Sequence, residues 1–380
     1  MRVQQLILKN RADIDAALAP LAAMSPDLVL VFGACPYFAT PDLTAALRRQ
    51  LPGAIITGCS TAGEIAGKRV YDGSCVITAI GFAHTAVAIA DAIICDMADS
   101  HEAGGRLAQA LPQDGLTAVF MLGTGVAING SALIAGLQAH LPPGVTISGG
   151  LAADGGAFRQ TWTLGPRGAA DNAIVAVGLY GEHIRLGYGS HAGWEAFGPA
   201  RKVTRCVDNV LYGLDGARAL DIYKLYLGDH ARDLPASGLL FPFEMLTAAH
   251  EKSNVFRTIL AIDEEQGSLT LAGDILADGY LRLMHSSTNR LIDGAETAAR
   301  GVAPHADAQG DQLALLVSCV GRKLVMGDRA EEEVEAVADL LGGAPCIAGF
   351  YSNGEIGIAQ PHGACQLHNQ TMTVTVLSEA

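Results

Sequence analysis

The stretch Asp27–Gly33, DLVLVFG, decides how the rest of the chain is read. It is a short Val/Leu-rich run that ends at glycine, the pattern of a strand buried on both faces. Pro41–Leu51 (PDLTAALRRQL) follows as a helix, with Thr40 as its expected N-cap, Pro41 in the first turn and apolar residues at Leu43, Ala46, Leu47 and Leu51. Pro52-Gly53 stops that helix, and Ala54–Gly58 (AIITG) is a second buried strand. The glycine-punctuated turn Cys59–Ile65 (CSTAGEI) then leads into another strand, Ser74–Phe82.

The same order returns twice. Thr117–Gly123 is a strand, Asn129–His140 a helix, Val145–Gly150 a strand, Leu151–Gly156 a loop and Asn172–Tyr180 a strand. A third pass runs through Gln312–Cys319, a helix at Glu331–Leu341, the strand Ala344–Gly349, the loop Phe350–Ile356 and a last strand near Met372–Leu377. The first and third loops share letters, Gly63-Glu64-Ile65 matching Gly354-Glu355-Ile356. The sequence therefore predicts an α/β protein of repeated β-α-β-β units, forming mixed sheets with helices packed on them. Helical crossovers make the strands they join parallel.

Residues 182–310 break the pattern. Charged and aromatic residues are denser there, strand-like alternation appears at Val255–Ile262, and Ala217–Leu227 reads as a helix with Leu220, Tyr223 and Leu227 on one face. Gly228–Pro242 reads as loop. Two domains are expected, residues 1–181 and 182–380.

Composition narrows the function classes. The chain has 380 residues, 45 of them Gly, and a net charge of −14 from 25 basic and 39 acidic side chains. Such an acidic chain lacks the electrostatic footprint of a nucleic-acid or anionic-membrane binder. No apolar window approaches the ~20 residues of a spanning helix, and no secretory h-region opens the chain. The eight Cys are scattered, as expected of buried thiols in a reducing cytoplasm.

Enzyme signatures are poor. Gly123-x-Gly125 follows a strand but lacks the third glycine and the acid of a dinucleotide fingerprint. Glu64 and Glu355 read either as an acid/base pair from two repeats or as turn carboxylates that accept backbone N–H groups. Among the histidines, His101, His230 and His305 lie in polar stretches and His140 ends a helix. His191 sits beside Trp194 in the small-residue run GSHAGW, and His368 sits in CQLHNQT ahead of the last strand. Cys365 and His368 fall on opposite faces of an extended strand, which argues against structural zinc. His368 reads either as a hydrogen-bonded structural residue or as a ligand-binding one.

The run Gly349-Phe350-Tyr351-Ser352-Asn353-Gly354-Glu355-Ile356, followed by Leu367-His368-Asn369-Gln370-Thr371-Met372-Thr373, resembles the C-terminal signature of FIST-domain proteins. Gly58–Ile65 and Ile147–Ala152 resemble the matching N-terminal signatures, and Val203–Arg205, Asn209–Tyr212, Leu214–Gly216 and Ala219–Tyr223 agree in the middle. The resemblance implies a FIST N half followed by a FIST C half, in a cytoplasmic bacterial sensory protein and not an enzyme. It is similar to the stand-alone, haem-containing branch that senses nitric oxide through a partner histidine kinase; other FIST proteins are held to sense ligands such as amino acids. On that reading His368 is the expected haem-iron ligand, with His191 and Trp194 as the second choice. Arg201, Lys202 and Arg205 are the candidate partners for the propionates. The ligand loops would be Ser60, Gly63 and Glu64, then Gly149 and Gly150, then Tyr351, Asn353, Gly354, Glu355 and Asn369. Neither nucleic acid nor membrane is an expected partner, and homo-oligomerisation is left open. An enzyme using Glu64 and Glu355 is the remaining alternative.

Overall fold

The computed structural model describes residues 1–10, 14–302, 308–358 and 364–380, so His305 lies outside the described residues. The first repeat runs β1 (Arg2–Leu8), α1 (Ile14–Ala23), β2 (Leu28–Gly33), α2 (Asp42–Gln50), β3 (Ile55–Ser60), β4 (Glu64–Ala66), β5 (Arg69–Tyr71) and β6 (Cys75–Gly81). The second runs β7 (Ala86–Ile93), α3 (Ser100–Ala110), β8 (Leu116–Gly123), α4 (Gly130–His140), β9 (Thr146–Leu151), β10 (Thr163–Gly165), β11 (Gly168–Ala170) and β12 (Ala173–Tyr180). The third opens with β13 (Ile184–His191) and is interrupted by an insertion. That insertion holds β14 (Glu195–Val207), β15 (Val210–Leu214), β16 (Ala217–Arg218), α5 (Ala219–Leu227), β17 (Phe243–Leu246), β18 (Lys252–Arg257), β19 (Ile259–Asp263), β20 (Ser268–Leu271) and β21 (Tyr280–His285). The repeat then resumes with α6 (Thr288–Arg300), β22 (Gln312–Cys319), α7 (Val320–Met326), α8 (Ala330–Leu340), β23 (Pro345–Ser352), β24 (Gly354–Ile358), β25 (Cys365–His368) and β26 (Met372–Glu379).

Each unit is thus longer than the expected β-α-β-β: a strand and a helix precede it, and a two-stranded pair interrupts it. The helical crossovers do make their strands parallel, β2 with β3, β8 with β9 and β22 with β23. The last strand of each unit returns antiparallel on the other side of the first, and β1, β7 and β13 extend that edge.

The two-stranded pairs leave their own sheets. β4 adds to β23, β10 adds to β3, and β24 adds to β9. Among the described residues three six-stranded sheets result, each completed by a neighbour in a cyclic exchange. Their inner faces share one core, where the Phe32 and Phe350 rings meet at 4.6 Å among Phe120, Leu30, Leu122, Leu315 and Val317. Helices cover the outer faces through separate clusters, Leu18 and Leu47 in one, Leu107 and Leu133 in another, Leu291 and Val334 in the third. Strands covered on both faces need no polar alternation, which is why they read as unbroken apolar runs.

The insertion is a curled sheet in the order β18-β17-β21-β14-β15-β20-β19. Its edge strands β18 and β19 are separated in the chain only by Thr258, and the sheet wraps a core that includes Leu211, Tyr223, Phe243, Leu269 and Leu281. Four local expectations change. Thr40 does not cap α2; its hydroxyl donates to Asp42 Oδ2 at 3.1 Å, and Pro41 stands at the cap with no side-chain bond. Residues 217 and 218 pair with β15, so the helix starts at Ala219. The Gly228–Pro242 segment contains two 3₁₀ turns, Gly228–Asp233 and Ala236–Leu240. The third loop is mostly strand, broken only at Asn353. No described helix is long and apolar enough to cross a membrane.

One device recurs in each of the three six-stranded sheets. A Cβ at Gly58, Gly149 or Gly349 would lie 1.9, 1.8 or 1.9 Å from the carbonyl oxygen of Val31, Met121 or Leu316 on the parallel neighbour. Backbone cannot yield as a side-chain tip can. Gly58→Ala is therefore expected to lower unfolding free energy by about 1–3 kcal/mol or more. Gly53→Ala, where nothing lies within 4 Å, should stay within about 0.5 kcal/mol. Urea unfolding of the two variants side by side checks this; equal midpoints would contradict it.

Candidate functional site

Glu64 and Glu355 occupy equivalent places in the first and third repeats. Thr61 Oγ1 donates to Glu64 Oε1 at 2.5 Å, while the Ser74 N–H and hydroxyl donate to Oε2 at 3.1 and 2.6 Å. Ser352 Oγ donates to Glu355 Oε1 at 2.6 Å, and the Thr371 N–H and hydroxyl donate to Oε2 at 3.1 and 2.9 Å. Burial outweighs these donors and raises both carboxyl groups, Glu355 to about 7. Each clasp ties the base of an exchanged strand pair to the segment entering the unit's last strand.

The other loop residues serve the same interlock. Ser60 Oγ donates to Ala153 O at 2.7 Å and accepts from Trp162 N at 2.9 Å. A Cβ at Gly63 would meet Lys323 Nζ at 2.5 Å, Gly150 packs on Val317 and Phe350, and Gly354 packs on Leu367 and Leu151. Asn353 Nδ2 donates to Gly125 O at 3.2 Å, and Tyr351 OH donates to Glu333 Oε1 at 2.8 Å. None of these residues lines the main cavity.

That cavity, of about 650 Å³, lies where the third repeat meets the insertion. Its size is that of a small-ligand site. From the repeat come Ser190–Trp194 at the end of β13, Arg290 of α6, and His368 and Thr371 around the β25–β26 turn. From the insertion come Glu195, Glu244, Lys252, Asn254, Phe256, Arg282 and Met284. The cavity thus brings His191, Trp194 and His368 together, from positions up to 177 residues apart in the chain.

The turn at its inner wall carries unspent hydrogen-bonding capacity. His368 is 1% exposed, and its Nε2 lies 3.1 Å from Gly357 O. A carbonyl only accepts, so Nε2 holds the proton and Nδ1 is a bare lone pair, with no partner among the described residues. Burial pushes the imidazole down to about 4, keeping it neutral. Asn369 Oδ1 and Gln370 Oε1 are likewise buried without partners among the described residues. Buried polar atoms left open are rare and point to a missing ligand or water. The turn is fixed by neighbours: Trp194 Nε1 donates to Gln370 O at 2.9 Å, and Gln370 Nε2 donates to Leu239 O and Thr258 Oγ1 at 2.9 and 3.1 Å.

Beneath the cavity floor, Arg322 and Glu333 form a fully buried ion pair. Arg322 also donates to the carbonyls of Ala192 and Leu291, and Glu333 accepts from Ser318 and Tyr351, so every charge is satisfied and Ala192 is held in place. His191 stands at the rim; enclosure of its ring, then the Arg322 charge, lowers its pKa.

The charged wall comes from the insertion and was missed in the sequence. Glu244 and Arg282, register partners on β17 and β21, are ion-paired, as are Arg290 and Glu195. Lys252 has no ion-pair partner among the described residues. A Glu inside the strand run FEML was the one available signal. Arg201, Lys202 and Arg205 do not line this cavity: Arg201 pairs with Asp215 and Tyr226, Lys202 donates to Asp278 O, and Arg205 covers the Tyr212 ring. Among the described residues no group of three or more His, Cys, Asp or Glu could hold a metal ion by itself.

The model of the FIST N domain matches residues 27–217 and that of the FIST C domain residues 219–358. The chain belongs to the FIST family. It is therefore a small-ligand sensor of signal transduction, and the cavity at the junction of the FIST C region with the last strands is its candidate ligand site. A search of curated protein sequences finds no match. Among solved structures, cyanuric acid hydrolase from A. caulinodans aligns over 100% of this FIST chain and 99% of its own, at 11% identity and a TM-score of 0.36. Likeness at that level says nothing about chemistry.

The His368 environment has a measurable consequence. Its folded pKa lies below its unfolded one, so below about pH 6.5 the unfolded chain binds a proton that the folded chain refuses until about pH 4. Stability from this group is present above pH 6.5 and lost as pH falls toward 4. In urea unfolding between pH 7 and 4.5, His368→Gln should lose less stability than the wild type. Parallel pH curves would contradict a neutral buried imidazole.

Proposed function

We propose that this FIST protein senses a carboxylate-bearing ligand in the cavity between its third repeat and the insertion, with haem as that ligand and nitric oxide as the signal. The observation that carries the reading is the pairing of open, neutral imidazole chemistry with an unneutralised cation in one cavity. His368 donates its Nε2 proton to a backbone carbonyl and leaves Nδ1 bare, the second-sphere arrangement of a metal-binding histidine. Trp194, Phe256 and Met284 supply apolar surface, and Lys252 supplies a charge for a propionate. The residues thus fit haem in donor chemistry. Nδ1 is buried, so His368 would hold the iron only after the 368–371 turn shifts, whereas His191 is exposed at the rim as it stands. Haem, when bound, would supply an iron with an exchangeable position for nitric oxide.

Within the protein, the residues named would hold the ligand, orient it and transmit its presence. A ligand that opens the His368–Thr371 turn acts on the Glu355 clasp, because Thr371 both lines the cavity and donates twice to Glu355. Such a two-state element is what a partner can read. In this reading the partner is a histidine kinase and the chain itself does not catalyse.

A second reading, an amino acid without haem, is favoured by the wall in which the Glu244–Arg282 and Glu195–Arg290 pairs stand beside Lys252. Opposite charges suit a zwitterion. The deciding experiment is the visible spectrum of the purified chain titrated with haemin, reduced, and exposed to nitric oxide. The haem reading expects a saturable Soret band that nitric oxide shifts, altered in His191→Ala or His368→Ala and weakened in binding by Lys252→Ala. A Soret band that stays that of free haemin at stoichiometric protein overturns haem; a thermal shift with one of the twenty amino acids, lost in Lys252→Ala, would then establish the second reading.

A further inference from the structure

A second cavity, of about 530 Å³, lies on the other side of the Gln370 turn. Its walls are Val126, Ala127 and Ile128 from the loop after β8, Ala157 and Phe158 from the loop after β9, and Leu239 and Ile259 from the insertion. Ala127 and Phe158 hold left-handed backbone, with φ of 55° and 52°, a conformation that side-chain-bearing residues avoid unless the surroundings impose it. Met97 and Leu260 at the mouth are each 37% exposed. Asp233, exposed at the rim, is the sole charged residue of the lining and has no ion-pair partner among the described residues.

Apolar walls of this extent are not left to water without cost, and one unpaired carboxylate at the mouth sets the sign of what they accept. We infer that this cavity is a second ligand site, for a compact apolar molecule carrying a cationic amine, its apolar body against Ile128, Phe158 and Leu239 and its ammonium at Asp233. The cation preference separates it from the first cavity, whose unpaired charge is Lys252. Gln370 links the linings of the two sites: its carbonyl accepts the indole N–H of Trp194, which lines the first, and its amide donates to the carbonyl of Leu239, which lines the second.

The test titrates 2-phenylethylamine into the full chain by calorimetry, with 3-phenylpropionate as an anion of similar shape. Saturable amine binding is expected, tighter than the acid by roughly twofold to fivefold, the range of an exposed ion pair. Asp233→Asn should erase that preference. Ala157→Trp, an exposed position that a ring can occupy without entering the core, should weaken amine binding by about tenfold or more. Lys252→Ala should leave it unchanged, so this outcome stands apart from the fate of the haem reading. Amine binding that is absent, that survives Ala157→Trp, or that falls equally in Lys252→Ala would overturn the assignment.

Discussion

The structure depends on a carboxylate buried at the base of an exchanged strand pair. Two of the three exchanged strand pairs are fastened in this way where they leave their own unit for the sheet of another. Glu64 and Glu355 do this with the same donors in the same order: a hydroxyl three residues earlier, then the N–H and hydroxyl of the residue that starts the return. Burial makes each charge costly, and three hydrogen bonds per carboxyl group limit the cost. Without the clasps, the exposed edges of β9 and β23 would lack partners.

The same clasp builds the candidate site. Thr371 belongs to both, so the turn from His368 to Thr371 is held from behind by Glu355 and from the side by Trp194 and Thr258. Held in that way, it keeps Nδ1 of His368 and the amide oxygens of Asn369 and Gln370 buried without partners among the described residues, and of the turn His368 and Thr371 reach the cavity lining. The insertion closes over the turn with a charged wall, and the fully satisfied Arg322–Glu333 pair fixes the floor. A junction between two packed parts of a chain is where small-ligand sites commonly lie.

Much of this was legible in the residues. Runs such as DLVLVFG announce strands covered on both faces, and the shared Gly-Glu-Ile of the first and third loops marks equivalent places. His191, Trp194 and His368 converge although nothing in their spacing requires it; the family-like stretch singled out His368, and the aromatic neighbour singled out His191. The exchange of strand pairs was not legible, since the hydrogen-bonding edge that a short strand joins is decided by long-range geometry and not by its letters. Glu244 and Arg282 were missed for a similar reason: charged residues on strands read as solvent-facing, and only the fold encloses this pair, while Lys252 stays exposed at the cavity mouth. Of the loop glycines expected to approach a ligand, Gly149 admits the Met121 carbonyl of the neighbouring strand, a long-range packing role that its letter alone does not announce.

The central claim is that the His368–Thr371 turn, held by the fold with a neutral and unpartnered His368 Nδ1, is the element that a ligand in the cavity moves. Its most direct measurement is the imidazole ¹⁵N spectrum of the histidine-labelled chain, with the His368 signals assigned from the His368→Gln variant. The account expects, at pH 7, a protonated Nε2 and an unprotonated Nδ1 whose shift moves when haemin or an amino acid binds. A protonated Nδ1, or His368 signals indifferent to a ligand that the protein demonstrably holds, would contradict it.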